Sequence, residues 1–279
     1  MPYKKSIIKY IHPLEPIERK LSFDIHQQPT EVTCGPTSLH SVYRYYGDDI
    51  SLEQVIEEVP MLEDGGTLAV LLGCHALERG YQAAISTANM QIFDPTWFDK
   101  TGVDLRERLK AQAHVKNNLK LHLATEAYLK FLDLGGTIRF EDFTRKLIRK
   151  YLNQNIPILT GLSATFLYRT AREYGDTLFF DDIRGDPSGH FVVIHGYNRL
   201  TKQAYVADPV VYNPYSPTQH YAVHIDRLIC AILLGILTHD ANFLTITPYK
   251  KTYKRLSNHD THPKLNPLVE SHIQNSKIK

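Results

Sequence analysis

Cysteine is scarce in this chain. Cys34, Cys74 and Cys230 are the only three in 279 residues, and no CxxC pair occurs. That excludes a disulfide framework and argues against a cysteine-held structural zinc site. Free thiols fit a reducing compartment. An excess of charge is missing too: 32 Lys and Arg stand against 30 Asp and Glu, a net charge of +2. Without a basic stripe interleaved with aromatics, nucleic acid is not an expected partner. Long hydrophobic runs are absent. The most apolar stretch, "LICAILLGILT" (Leu228–Thr238), has roughly half the length that spans a bilayer and reads as a core helix. The basic N-terminus shows neither an apolar run nor a small-residue cleavage site, so no signal peptide is expected. These absences predict a cytoplasmic protein without membrane insertion. Repeats and low-complexity linkers are also lacking. An apolar fraction of 43% supports a sizeable core, in one large domain or two small ones.

What is present changes character along the chain. Residues 1–26 read as an extended arm, with Pro13 and Pro16 opposing a helix. From Gly35 the apolar residues Leu39, Val42, Tyr43 and Tyr46 follow helical spacing, and Gly47 can end the helix. "SLEQVIEEV" opens with Ser51 and Gln54 in a capping-box pattern. A third helix is expected over about Thr67–Arg79, closed by Gly80. The middle, about 93–155, reads as a helical insertion of charged amphipathic segments, with "GTIRF" as a short extended link. After Asn155 come β-forming runs: "IPILTGL", "HFVVIHGY", "QAYVAD", "YAVHI" and "FLTITP", with a helix from Asp226. Helices first and strands later predict an α+β fold, N-terminal helices packed on an antiparallel sheet. The main domain is expected over 27–248, and 249–279 as a mobile tail.

Cys34 stands where the first long helix begins. A thiol attacks as thiolate, and a helix N-terminus and a nearby imidazolium both favour that form. Pro36 is tolerated in a first turn, whose N–H groups lack intrahelical partners. Gln28, on the approach to the helix, offers a side-chain amide to an oxyanion, beside a backbone N–H at the helix start. A base is also needed. His190 opens the run "HFVVIHGY", and Asp208 ends the next strand. Two antiparallel strands joined by a hairpin place the start of one beside the end of the other. His190 and Asp208 are therefore expected neighbours, base and orienting acid.

Gln-x5-Cys-Gly, then Gly-His-Phe-Val-Val, then Ala-Asp-Pro resembles the C39 family of papain-like cysteine peptidases, and the stand-alone "peptidase C39-like" proteins above all. The resemblance covers the Cys34 helix, "GGTLAVLLGCHALERGYQAAI", and Ile156 to about Pro209. It implies a papain-like fold, no cofactor, and a Cys-His-Asp triad: Cys34 as nucleophile, His190 as base, Asp208 as its orienting acid, and Gln28 in the oxyanion hole. It also implies a thiol hydrolase acting on a peptide or amide. An acyl transferase would use the same residues, and a substrate-binding module without catalysis would use the same fold.

Other residues compete for these roles. Gln27 is a neighbour of Gln28, and spacing favours Gln28. Asp182 and Asp186 lie nearer His190 in sequence, but only Asp208 ends an apolar strand. Cys74 and Cys230 lie in apolar helical patterns and are expected in the core. His195 is expected to be structural. His220 and His224 share a strand face with no third ligand in reach, so no metal site is expected. The charged segment before His190 offers Arg169, Arg172, Asp182 and Arg184 as substrate-binding candidates, with Arg169 and Arg172 spaced to clamp a carboxylate.

Overall fold

The computed structural model describes residues 15–62, 65–99, 101–175, 179–238 and 240–249. A short strand, β1 (Glu18–Lys20), leads to helix α1 (Cys34–Tyr45). Leu39, Val42 and Tyr43 form the buried stripe of α1, and Gly47, at φ +77°, takes the chain out of it. In α2 (Leu52–Glu58) the Ser51 side chain accepts the Gln54 N–H at 3.1 Å. The Gln54 side chain reaches forward to Glu58 instead of back, so half of the capping box forms. Helix α3 (Ala69–Glu78) is followed by Gly80 at φ +88° and strand β2 (Tyr81–Thr87).

The middle of the chain holds α4 (Thr96–Asp99), α5 (Leu105–Val115), α6 (Leu119–Asp133), β3 (Thr137–Phe140) and α7 (Arg145–Leu152). Then come β4 (Ile158–Ser163), α8 (Ala164–Tyr168), and a small hairpin of β5 (Glu173–Tyr174) and β6 (Phe179–Phe180). The long strand β7 (Gly189–Asn198) pairs with β8 (Gln203–Ala207). β9 (His220–His224), α9 (Ile225–Leu234), a 3-10 turn and β10 (Asn242–Pro248) complete the described chain.

The main sheet runs β3-β2-β10-β4-β7-β8-β9, and β1 pairs with β7 where β4 leaves off. Every pairing in it is antiparallel except β2 with β3. The "GTIRF" segment is thus a sheet strand, and the mostly helical middle is tied into the sheet through it. An α+β fold with a mostly antiparallel sheet results.

The run "HFVVIHGY" is apolar without interruption because both faces of β7 are covered. Phe191 and Val193 join a cluster with α1, α3 and α6, while Val192 and Ile194 join one with α7 and α9. Each such side chain contributes about 1.5–3 kcal/mol on burial. Helix α6 sits close on α3 because Gly73 has no Cβ: one there would lie 2.7 Å from the Phe131 ring.

Within the expected N-terminal arm, Leu21 and Ile25 are buried and β1 belongs to the sheet. Residues 1–14 and 250–279 lie outside the described residues. Cys74 is buried, but Cys230 is exposed. The reason is periodicity: α9 buries Leu228, Ala231 and Ile232, and Cys230 falls between those positions. Among the described residues no helix is long and apolar enough to cross a membrane.

Candidate active site

Cys34 is the first residue of α1 and 7% exposed. The loop before it is tightly tied. The Thr33 hydroxyl donates to the Thr30 carbonyl at 2.9 Å, and the Thr30 N–H returns to Thr33 Oγ1 at 3.1 Å. Gln28 enters the same turn: its Nε2 donates to the Thr30 carbonyl at 3.0 Å. Its backbone N–H donates to the Pro209 carbonyl at 2.8 Å, which ties the Gln28 segment to the residue after Asp208. Gln28 is buried, and its Oε1 has no hydrogen-bond partner among the described residues. Since Thr30 O can only accept, the amide is held with Nε2 on that carbonyl. Gly35 lets the start of α1 pack closely, for a Cβ there would lie 2.6 Å from Thr67 Cγ2.

β7 and β8 pair through Val193 opposite Ala207, so Asp208 follows one residue beyond. His190 and Asp208 fall on one face by alternation, and the His190 Nε2 donates to Asp208 Oδ1 at 2.8 Å. The Cys34 side chain lies close enough to bear on the His190 imidazole. Asp208 is fully buried, yet four donors reach it. Oδ1 also accepts the Val210 N–H at 3.0 Å. Oδ2 accepts the Tyr168 hydroxyl at 2.5 Å and the Tyr221 hydroxyl at 2.8 Å.

This arrangement sets the charges. Burial opposes a cation on His190, but Asp208 and Cys34, by charge and by hydrogen bond, outweigh it and push the imidazole up to about 10. Burial likewise opposes the Asp208 anion. The His190 charge, the hydrogen bonds from His190 and Tyr168, and the Val210 N–H hold its carboxyl below the ordinary range.

The four charged residues before His190 are not gathered around this pair. Arg172 donates to the carbonyls of Asp182, at 2.6 Å, and Ile183. Arg184 binds Asp181 at 2.7 Å and stacks over Tyr174. Both guanidinium groups hold the β5–β6 hairpin together. Arg169 ends α8 in the left-handed conformation, at φ +59°, and is exposed. Asp182 lies exposed in a turn, and Asp186 forms a bridge with Glu173. Burial raises the Glu173 carboxyl, Ser188 hydrogen-bonds it, Glu31 raises it further and His190 opposes.

Other histidines have local partners. His195 Nδ1 donates to the Leu21 carbonyl at 3.2 Å, and the His224 ring accepts the Asp226 N–H at the start of α9. Among the described residues no group of three His, Cys, Asp or Glu is placed to hold a metal. Tyr168 and Tyr221 carry no signal in the sequence, being 40 and 13 residues from Asp208. Only the even alternation of Tyr221 along β9 hints at a shared face.

The Peptidase_C39 like family matches residues 20–224. No curated protein matches the chain. Among solved structures, a C39-like peptidase from Bacillus anthracis is 12% identical, covering 83% of this chain and 98% of its own, with a TM-score of 0.46. A double glycine motif protease from an AMS/PCAT transporter, in complex with the leader peptide, is 15% identical, covering 83% and 95%, with a TM-score of 0.39. Xylellain, a cysteine protease from Xylella fastidiosa, is 12% identical, covering 84% and 87%, with a TM-score of 0.40.

Proposed function

The chain belongs to the Peptidase_C39 like family, and from that premise we propose that it is a cysteine-dependent hydrolase of peptide or other amide bonds. Cys34 is the nucleophile, His190 the base, Asp208 its orienting acid, and Gln28 with the Cys34 N–H the oxyanion donors. His190 holds the proton of the Cys34 thiol. The thiolate attacks the amide carbonyl carbon, and the oxyanion forms at the helix start. As the C–N bond breaks, His190 gives its proton to the leaving amine. Water then attacks the thioester, His190 takes the water's proton, and Cys34 leaves with the carboxylic acid released.

The observation that carries this reading is the placement of the His190 imidazole, 2.8 Å from Asp208 and close enough to Cys34 for the two to interact. Iodoacetamide labelling against pH tests it. Cys34 is expected to label rapidly well below pH 8.5, the range of an ordinary thiol, and His190→Ala to remove that advantage. Turnover of small amide and peptide libraries is expected to vanish in Cys34→Ala. A Cys34 that labels like an ordinary thiol, with the same rate in His190→Ala, sinks the proposal.

A further inference from the structure

We propose that Tyr168 and Tyr221 are positioning residues of this reaction: their two hydroxyls hold the far oxygen of Asp208, so that the carboxylate faces His190 as a charged, fixed acceptor. The inference rests on the hydrolase reading above.

A buried carboxylate has two ways to escape an unsatisfied oxygen. It can turn about its Cβ–Cγ bond, or it can take a proton. Either change spoils His190. In this site Oδ1 is engaged by His190 and Val210, and the tyrosines engage Oδ2 at 2.5 and 2.8 Å. Hydrogen bonds to a charged oxygen are the strong ones. The donors come from two separate elements, α8 and β9, so the oxygen is gripped from two directions. The titratable groups facing Asp208 are His190 from β7, Tyr168 from α8 and Tyr221 from β9, with Cys34 of α1 beyond His190.

Tyr168 is itself anchored. It ends a five-residue helix whose last carbonyls would otherwise be loose. Arg227 donates to the carbonyls of Leu167, at 3.1 Å, and Phe166. The Tyr215 hydroxyl also donates to the Leu167 carbonyl, at 2.6 Å. The Tyr215 ring stacks on Tyr221 at 5.0 Å and faces Tyr168 at 6.4 Å. One residue thus braces both donors. Burial, and then the Asp208 charge, hold both phenols well above their ordinary range, so they remain donors wherever the enzyme works.

Tyr168→Phe and Tyr221→Phe keep the rings and remove only the hydroxyls. Each is expected to move the acid limb of the Cys34 labelling rate and of kcat/KM upward by about one pH unit, with a larger shift in the double variant and KM within about twofold. A merely structural role lowers the plateau or the Tm and leaves the limb in place. Carboxyl-13C NMR of Asp208, in the Cys34→Ala background, reads the same effect without catalysis: the carboxyl is expected to titrate at higher pH in each Phe variant. An unmoved carboxyl and an unmoved limb overturn the proposal. If wild-type Cys34 labels as an ordinary thiol, the hydrolase reading fails, and the NMR titration still decides the tyrosines.

Discussion

Two aspartates in this molecule are both hidden from water, and their carboxyl groups are shifted in opposite directions. Asp208 is 0% exposed and Asp240 4%. Asp208 has a cation and three neutral donors around it, and its carboxyl lies below the ordinary range. Asp240, just before β10, accepts from the Asn242 side chain at 2.7 Å and from the Ala69 backbone N–H that starts α3. Both partners are neutral. Burial, opposed only by those two, pushes Asp240 up to about 7. Burial alone therefore does not decide whether a carboxylate stays ionised. The number of donors and one opposite charge decide it. Where the chain needs a standing anion it supplies four donors, and where it needs a helix-end acceptor it supplies two.

The largest expected effect comes from making the first site resemble the second. In Asp208→Asn the four donors around residue 208 meet an amide with a single acceptor oxygen. Its NH2 group is driven against donors on one side or the other. Labelling of Cys34 at neutral pH is expected to lose its advantage, and amide turnover to fall by roughly 10^3- to 10^4-fold. Leaving the buried His190 without its counter-charge is expected to cost about 3–5 kcal/mol of stability, read by urea unfolding. Turnover within tenfold of wild type would mean that His190 does not rely on Asp208.

The converse substitution is expected to be tolerated. Asp240 has a folded pKa raised above its unfolded one, so its contribution is full below about pH 4 and is lost as pH rises through about 7. Stability falls across that window by about 1.4 kcal/mol per pH unit from this group alone. Asp240→Asn removes the slope. Unfolding curves at pH 4 to 8 are expected to show the variant gaining on wild type by a few kcal/mol as pH rises. Parallel curves would show that Asp240 is ionised throughout, like Asp208, and the comparison would collapse.

Some of this was legible in the sequence and some was not. The start of α1 at Cys34 was, because the apolar spacing of Leu39, Val42 and Tyr43 and the terminal Gly47 are local signals. The nearness of His190 and Asp208 was, because a hairpin fixes register within a few residues. The bulge at His195, where the β7–β8 register shifts between Ile194 and Gly196, was not. Nor was the pairing of β1 with β7, or the insertion of β10 between β2 and β4, since those contacts join distant segments. The local partners of the charged residues before His190 were not legible either. Arg172 and Arg184 find carbonyls and a carboxylate inside their own hairpin, and local bonds form before any cleft is reached. Tyr168 was invisible because its role depends on where an isolated short helix lands.

A smaller effect sharpens the same contrast with a group of opposite sign. His195 is buried and held neutral. Burial, then the nearby charges of His220 and Lys20, outweigh the Leu21 carbonyl and push its imidazole down to about 4. A depressed histidine contributes stability that is present above about pH 6.5 and is lost as pH falls toward 4. Between those limits His195 and Asp240 give slopes of opposite sign and offset each other. In His195→Asn the amide can take the place of Nδ1 on the Leu21 carbonyl, at the loss of the ring packed on Phe23 at 5.8 Å. That loss is constant with pH, so the slope isolates the titration. The variant is expected to grow relatively more stable than wild type as pH falls from 6.5 to 4. Asp240→Asn should show the reverse trend over the same range, and the double variant neither. If His195→Asn tracks wild type in parallel down to pH 4, His195 titrates in the fold as it does in the unfolded chain, and the contrast with Asp240 fails.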